Sequence, residues 1–456
     1  MVKQDYKFIN FIKFKNLKEW DYKRYSVYSS TSEYPMEKLS KHIVNQTKKH
    51  NLFDYPSETF GILGISNDIG MFDAYEEKGE NINQAYKIVE NGFISYNPYR
   101  INVGSIGIKT CNVKNNYISP AYVVINCKET ILPEFLFIIM KSNYFNRLIK
   151  ARTTGSVRQT LSYKNLSEIE IPIPDIARQK EILNNYNNII DRSKLLEEEA
   201  RELEEKLDNI LFEELGIKEI QEKEKPEEKL QFTSFKRLIK WGVELNLAPA
   251  GPDEIFLSDL FENVRLNSVA EINPRTDFEG INDDSPVSFL PMECISDVYG
   301  EITCSNKGSA SGFKGYTKFR ENDVLWAKIT PSMQNGKCAI AEDLINGYGY
   351  GSTEYHVIRT DNKQLLNKFI YCFLRTNIIR KMAQYYFTGS AGQQRVSADF
   401  LENLVIPLPS INKQKEICNK IFSKKKEKKR IKLKVEKLQE EAKRNLEFEV
   451  FGDECL

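Results

Sequence analysis

The amino-acid sequence contains an internal repeat, and this repeat constrains the fold more than any other feature. Three motifs recur in the same order at offsets of 221, 234 and 235 residues: FKNLKEW at 14 and FKRLIKW at 235, TGS at 154 and 388, IPIP at 171 and IPLP at 406. The tetrapeptide QKEI follows the last motif in both copies, at 179 and 414. Repeated motifs in a fixed order predict two copies of one structural unit, the second about 14 residues longer.

Each copy ends in a segment with the pattern of a long helix. From about Ile176 to Leu215, and from about Ile411 to Phe451, there is no Gly or Pro. Apolar residues recur there every three or four positions, which is typical of a coiled-coil seam. Asp175 and Ser410, each just after a Pro, are well placed as N-caps.

Charge predicts how the two helices pair. Residues 197–205 contain six acids and one base, whereas residues 424–434 contain eight bases and one acid. If the helices run antiparallel with matched ends, facing residue numbers add to about 627, and the acidic stretch then faces about 422–430. Parallel pairing would face it with a mixed stretch, so complementarity favours the antiparallel arrangement. The alternative is that both runs are solvated helix faces.

The parts that precede the helices combine strands with shorter helices. Tyr122–Ile125 and Tyr355–Ile358 read as strands, and Glu134–Ile149 and Gln364–Met382 as helices. The predicted fold class is therefore α+β, with two mixed α/β domains related by the repeat and two long helices forming an antiparallel coiled coil. The predicted segments are a domain at 1–174, a helical spacer at 175–221, a polar linker at 222–231, a second domain at 232–409 and a second spacer at 410–456.

Composition excludes several kinds of site. The eight cysteines are scattered singly and there are three histidines, so no zinc site is expected and the cysteines are predicted to be buried thiols of a reducing compartment. No apolar run approaches the length of a membrane span, and the Lys-rich N-terminus lacks the apolar stretch of a secretory signal. A cytoplasmic location is expected. The net charge of +1 decides nothing about nucleic acid, because only one face needs to be basic.

The motifs resemble those of specificity subunits of type I restriction–modification systems, over essentially the whole chain. The resemblance is carried in the second copy by VRLNSVAEINPRTD at 264–277, FRENDVLWAKITPSMQNGK at 319–337, GYGSTEYHVIR at 349–359 and TGSAGQQRVSADFLENLVIPLP at 388–409. In the first copy it is carried by NPYRINVGSIG at 97–107, ISPAYVVI at 118–125 and TGSVRQTLSYKNLSEIEIPIP at 154–174.

This resemblance implies two target-recognition domains that read the two half-sites of a bipartite sequence in double-stranded DNA. The helices would set the half-site spacing and dock two adenine-N6 methyltransferase subunits, which separate restriction subunits would join. The chain itself would bind no cofactor, and S-adenosylmethionine, ATP and Mg would belong to the partner subunits. Half-sites about one helical turn, ~34 Å, apart would lie on one face of the DNA. Because the two globular parts differ between their matched ends, we expect an asymmetric target.

Candidate DNA contacts are polar residues in glycine-rich loops. Asn and Gln can bond adenine and Arg can bond guanine, whereas Ser, Thr and Lys more often hold phosphates. Plain turns are the alternative, and Asn335-Gly336 by itself suits a hairpin turn. Gly349–Glu354 and Lys424–Lys434 are further candidates, the latter in competition with helix pairing. The candidates are Tyr99, Arg100, Asn102, Ser105, Ser156, Arg158 and Gln159 in the first copy, and Lys328, Thr330, Gln334, Asn335, Lys337, Ser390, Gln393, Gln394 and Arg395 in the second.

No catalytic pattern is convincing. Asn97-Pro98-Tyr99 lacks the second Pro of an adenine methyltransferase tetrapeptide, and Gly336-Lys337 lacks the rest of a phosphate-binding loop. Asp175 and Glu181 are too few for a nuclease centre, so a non-catalytic subunit is expected. Two readings stay open beside it: a coiled-coil scaffold that does not bind DNA, and an orphan specificity chain that serves modification only.

Overall fold

The structure is a computed structural model that describes residues 31–67, 69–101, 104–152, 160–217, 250–389 and 393–452. Contacts divide the chain into two compact units. Unit 1 comprises Met1–Leu195 and Lys434–Leu456, and unit 2 comprises Leu196–Leu433. Each long helix, α4 (Ile176–Leu215) and α9 (Ile411–Phe451), therefore contributes one part to each unit. The division into five segments stays a prediction.

The two long helices begin and end where the sequence predicts. The Asp175 carboxylate accepts the backbone N–H of Arg178 at 2.8 Å, and the Ser410 hydroxyl accepts that of Lys413 at 3.4 Å. Both predicted N-caps are confirmed, since each side chain satisfies an N–H that has no partner within its helix.

The helices run antiparallel, as the charges predict. In unit 2, Glu214 of α4 accepts from Lys413 of α9 at 2.7 Å, and Glu204 forms an ion pair with Lys428. In unit 1, Arg178 of α4 lies 3.2 Å from Glu449 of α9. The numbers of Arg178 and Glu449 add to 627, and so do those of Glu214 and Lys413, which matches the predicted register. Of the acidic stretch, Glu204 carries this contact, while Glu198 and Glu202 bond Arg201 and Lys206 of their own helix.

The described part of unit 1 contains two larger sheets, one two-stranded sheet and a group of short helices. The strands are β1 (Met36–Lys38), β2 (Ile43–Asn45), β3 (Lys49–His50), β4 (Thr59–Ser66), β5 (Gly70–Lys78), β6 (Tyr86–Ile88), β7 (Ile94–Tyr96), β8 (Ile106–Ile108), β9 (Tyr117–Ile118), β10 (Val123–Cys127) and β11 (Glu170–Pro172). The helices are α1 (Pro133–Met140), α2 (Asn143–Arg152) and α3 (Tyr163–Ser167). One sheet has the antiparallel order β2-β10-β7-β8, the other has the order β3-β6-β9-β4-β5, and β1 pairs with β11.

The main core of unit 1 lies between the first sheet, α1 and the long helices. Phe135, Leu136 and Ile139 lie on one face of α1 and are fully buried. Phe451 of α9 joins this core, and its ring centroid lies 4.3 Å from that of Tyr144.

Unit 2 repeats the framework of unit 1 with a different second sheet. Its strands are β12 (Asn263–Arg265), β13 (Ala270–Ile272), β14 (Pro286–Leu290), β15 (Asn306–Ser309), β16 (Thr317–Arg320), β17 (Val324–Ala327), β18 (Cys338–Ile340), β19 (Tyr348–Gly351), β20 (Tyr355–Thr360), β21 (Phe387–Thr388), β22 (Arg395–Val396) and β23 (Val405–Pro407). Its helices are α5 (Leu266–Val269), α6 (Asn367–Leu374), α7 (Asn377–Gln384) and α8 (Ala398–Glu402).

The strand order confirms the internal repeat. The antiparallel order β13-β20-β17-β18 in unit 2 matches β2-β10-β7-β8 in unit 1, and the pair β12·β23 matches β1·β11. The second sheets differ, with order β15-β14-β19-β16 in unit 2 against the five strands of unit 1. In both units, the strands of the second sheet lie in the sequence between strands of the first sheet. The repeated framework therefore carries a different inserted sheet in each unit.

The two shorter helices are predicted wrongly as continuous. Each is broken, into α1 and α2 in unit 1 and into α6 and α7 in unit 2. The breaks fall at Ser142 and Thr376, whose hydroxyls accept the backbone N–H of Phe145 at 3.1 Å and of Ile379 at 3.4 Å. A hydroxyl residue that caps a new helix competes with continuation of the old one, and apolar periodicity does not reveal this.

The expectation of free thiols is wrong for one pair. Cys294 and Cys304 form a disulfide with an S–S distance of 2.00 Å, whereas Cys338, Cys372 and Cys418 are buried free thiols. Within the described ranges, no three or more Cys, His, Asp or Glu residues are grouped so that they could hold a metal ion. The described helices include none that is long and apolar enough to cross a membrane.

Candidate nucleic-acid interface

Three separate segments of unit 2 that contain candidate DNA contacts meet at the end of the first sheet where β17 stops and β20 begins. The backbone N–H of Thr330 donates to the Gln394 carbonyl at 3.0 Å, and that of Val396 donates to the Lys328 carbonyl at 2.9 Å. The Lys328 N–H donates to the Glu354 carbonyl at 2.9 Å. Backbone hydrogen bonds therefore join residues 328–337, 352–354 and 393–396, which we call the three-segment site.

Arg395 and Glu354 form a bidentate ion pair within this site. Nε of Arg395 lies 3.1 and 2.9 Å from the two carboxylate oxygens of Glu354, and Nη2 donates to Oε1 at 2.7 Å. Hydrogen bonds from Arg395 hold the pKa of Glu354 below its usual range, and the same carboxylate raises the pKa of Arg395. The Arg395 side chain is 40% exposed, so its outer face is accessible.

A buried aromatic layer supports the last of these segments. His356 Nε2 lies 2.9 Å from the Val396 carbonyl, and burial lowers the pKa of His356 to about 4. The ring is therefore neutral at pH 7 and, with Nε2 protonated, donates to Val396 while Nδ1 accepts from the Asn273 amide at 3.0 Å. Trp326 stacks on His356 with 6.2 Å between the ring centroids. These contacts fix the strand that carries Arg395.

The loop between β17 and β18 brings exposed amides to the same site. Gln334 and Asn335 are exposed, whereas Lys337 is half-buried and donates to the Met292 carbonyl at 2.8 Å. The backbone N–H of Asn335 donates to the Pro331 carbonyl and that of Met333 to the Ile329 carbonyl. This loop is wider than the two-residue hairpin that Asn335-Gly336 alone would suit.

Unit 1 repeats part of this arrangement. Tyr99 and Arg100 are exposed on the turn after β7, where Asn97 Oδ1 accepts the N–H of Tyr99 at 3.0 Å. Ser105 is 8% exposed, and its carbonyl accepts the Asn97 N–H at 3.0 Å. Ser105 therefore stabilises the loop and is not a surface residue. The Leu161 N–H donates to the Pro98 carbonyl at 3.0 Å, as Val396 does to Lys328 in unit 2. The remaining candidates, Asn102, Ser156, Arg158, Gln159 and Ser390, lie outside the described residues.

The two further candidate segments differ in their environment. Gly349–Glu354 reaches the three-segment site through Glu354. In the basic run, Lys425 donates to the Tyr371 hydroxyl at 2.8 Å and lies 4.2 Å from the Tyr371 ring centroid, and burial lowers the pKa of Lys425 to about 8. Lys428 is buried beside Glu204. For these two lysines, helix packing is the better account.

Comparison with known proteins finds similarity to one family in part of the chain. Residues 258–438 match the family model for the type I restriction modification DNA specificity domain. The EcoAI specificity subunit of Escherichia coli is 38% identical over 162 residues, which are 35% of this chain and 27% of that protein. The EcoEI specificity subunit of Escherichia coli is 37% identical over 169 residues, which are 37% of this chain and 28% of that protein. The chain thus spans little more than a quarter of the length of these relatives.

A solved structure from work on complex assembly and conformational transition of the type I R-M system resembles most of the chain. Its TM-score is 0.53, and the match covers 92% of this chain and 98% of the solved one at 14% identity. At that identity the likeness establishes the fold alone, and it agrees with two domains joined to a long helix pair.

Proposed function

We propose that this chain is a specificity subunit of a type I restriction–modification system and that it recognises a bipartite, asymmetric sequence in double-stranded DNA. Each copy of the repeat supplies one recognition domain and reads one half-site. On this proposal the role of the chain is recognition rather than catalysis.

The observation that carries the proposal is the three-segment site and its partial counterpart in unit 1. In both units, the segment that follows the TGS motif is hydrogen-bonded to the loop after the third strand of the first sheet, Leu161 to Pro98 and Val396 to Lys328. This shared backbone carries different side chains in the two copies, with Tyr99 and Arg100 in one and Gln334, Asn335 and Arg395 in the other. A constant scaffold with exchanged donors and acceptors is what two different half-sites require.

The partners follow from the same proposal. Two adenine-N6 methyltransferase subunits bind the helical part, and restriction subunits join that complex in the cytoplasm. S-adenosylmethionine, ATP and Mg are bound by those subunits and not by this chain. Exposed apolar residues on the long helices, among them Leu195 at 74% and Leu433 at 44% exposure, are suited to contact a protein partner.

Binding of the reconstituted complex to a random duplex library tests the proposal. The chain is co-purified with its methyltransferase subunit, and bound duplexes are sequenced at moderate salt, because phosphate contacts alone weaken steeply as salt rises. We expect enrichment of one motif with two unlike halves separated by a fixed spacer. A stable complex that enriches no motif would favour a scaffold and contradict DNA recognition.

A further inference from the structure

We propose that Glu354 is a positioning residue that holds Arg395 so that Arg395 reads a guanine in the half-site of the second domain. This inference rests on the proposed function and assigns one of its specificity contacts. It is carried by the geometry of the ion pair and by a comparison of the two copies.

The first argument counts the N–H groups of Arg395. A guanidinium has five, and Nε and one N–H of Nη2 point to Glu354, while one N–H of Nη1 donates to the Gln393 carbonyl at 2.8 Å. Among the described residues, one N–H on each terminal nitrogen has no partner. The two terminal nitrogens of a guanidinium can present a fork of two N–H groups, which matches O6 and N7 of guanine in the major groove, the commonest specific contact of arginine.

The second argument is that the backbone of both partners, Glu354 and Arg395, is held by hydrogen bonds and strand pairing. The Glu354 N–H donates to the Ser352 hydroxyl at 3.2 Å, and its carbonyl accepts from Lys328. Arg395 lies in β22, paired with β21 on one side and bridged to Ile329 on the other. A side chain whose orientation is set before binding loses less conformational entropy when it docks, so the pair favours discrimination over general adhesion.

The third argument is that the pair is exchanged as a unit between the two copies. Tyr122 aligns with Tyr355 and Leu161 with Val396, so Ala121 stands where unit 2 has Glu354, and Thr160 stands where it has Arg395. The aligned neighbours, Tyr122 with Tyr355 and Leu161 with Val396, are aromatic or apolar in both copies. The acid and the base are both absent from the first copy. A pair needed for the shared scaffold would be present in both copies, so this one belongs to what differs between them.

The test compares wild type with Arg395→Ala, Arg395→Lys and Glu354→Gln in the complex with the methyltransferase subunit. Arg275→Ala is the matched control, because Arg275 is 89% exposed and also pairs with an acid, Asp277. Binding is measured to the target duplex and to duplexes that carry each single base-pair change across both half-sites. Circular dichroism of each complex confirms that the variants are folded.

We expect Arg395→Ala to lose discrimination at one G·C pair in one half-site, by about 5- to 150-fold, with the other positions unchanged. Arg395→Lys keeps the charge but lacks the fork, so it loses the same discrimination while binding to non-target duplex stays within about twofold. Glu354→Gln weakens discrimination at that same pair, and it raises binding to non-target duplex because a negative charge is removed. A purely structural pair would not move these two quantities in opposite directions.

Other outcomes separate the two levels of the proposal. If wild type shows a motif and Arg395→Ala preserves discrimination at every position, the inference is overturned and the proposed function stands. If Glu354→Gln strengthens target binding with undiminished discrimination, Glu354 masks Arg395 rather than positions it, and the inference is again overturned. If wild type prefers no sequence, the proposed function itself fails.

Discussion

Gln179 and Gln414, 235 residues apart, make the same three hydrogen bonds in the two units. Oε1 of each accepts a backbone N–H at 2.9 Å, from Leu132 in unit 1 and from Leu366 in unit 2. Nε2 of each donates to two backbone carbonyls: those of Thr130 and Pro174 for Gln179, and those of Gln364 and Pro409 for Gln414. Both side chains are fully buried. The repeated QKEI motif therefore marks the joint between each globular part and its long helix.

Replacement of Gln414 by Leu should destabilise unit 2. The change leaves one buried N–H and two carbonyls without their partner, at a cost of about 2–5 kcal/mol. Urea denaturation followed by circular dichroism measures it. Lys415→Leu, at the exposed neighbouring position, is the control and should cost less than about 0.5 kcal/mol. Equal losses of unfolding free energy in the two variants would contradict the proposed role of Gln414 at this joint.

Acid should destabilise unit 2 through His356. Its folded pKa of about 4 lies below the usual value of 6.5, so between these pH values the unfolded chain binds the extra proton. The stability that the neutral ring contributes is complete above pH 6.5 and is lost as pH falls towards 4, by about 3 kcal/mol. Denaturation across this range should show a smaller loss in His356→Gln than in wild type. The same slope in both proteins would refute the assignment.

The antiparallel register can be tested at Glu204 and Lys428. Glu204→Lys places a second cation beside the buried ammonium of Lys428 and should cost about 1–3 kcal/mol. The swap Glu204→Lys with Lys428→Glu should recover most of this loss in a double-mutant cycle. Parallel helices would bring Glu204 near position 439 instead, and the cycle would then show no coupling.

A buried ion pair at the start of β17, with its arginine in β20, should be sensitive to loss of one partner. Asp323 accepts from Arg359 at 2.8 and 2.7 Å, and both side chains are at most 10% exposed. Asp323→Ala leaves the guanidinium buried and unpaired and should cost about 3–5 kcal/mol. Asp277→Ala breaks the exposed pair with Arg275 and is expected to change the unfolding free energy by under about 0.5 kcal/mol. Comparable losses would count against this account.

The sequence predicts well what is periodic or repeated. The bounds of α4 and α9, their caps and their antiparallel pairing follow from apolar spacing and charge, because these signals are local or involve whole helices. The repeat likewise anticipates that both units share one sheet order. The break at Ser142 is missed because an apolar run continues on both sides of the capping hydroxyl.

The site is predicted less completely, for a physical reason. Arg395 and Glu354 are separated by 41 residues, and they meet because the residue before β20 and strand β22 both hydrogen-bond to the residues that follow β17. No spacing rule in one sequence gives that contact. The candidates that the structure places have differing exposure: Arg395 and Gln334 reach solvent, while Ser105 is buried and Lys337 bonds a carbonyl. The choice of DNA contacts among them stays a prediction.

Mapping of N6-methyladenine in a host genome tests the central claim most directly. The methyltransferase subunit is expressed with this chain, without it, and with a chain in which unit 2 residues 328–337 and 393–396 are exchanged for those of another specificity subunit. We predict a bipartite motif with two unlike halves that appears only when this chain is present, and of which the exchange alters one half. Methylation that is independent of the chain, or a perfectly palindromic motif, would contradict recognition of an asymmetric target by two domains.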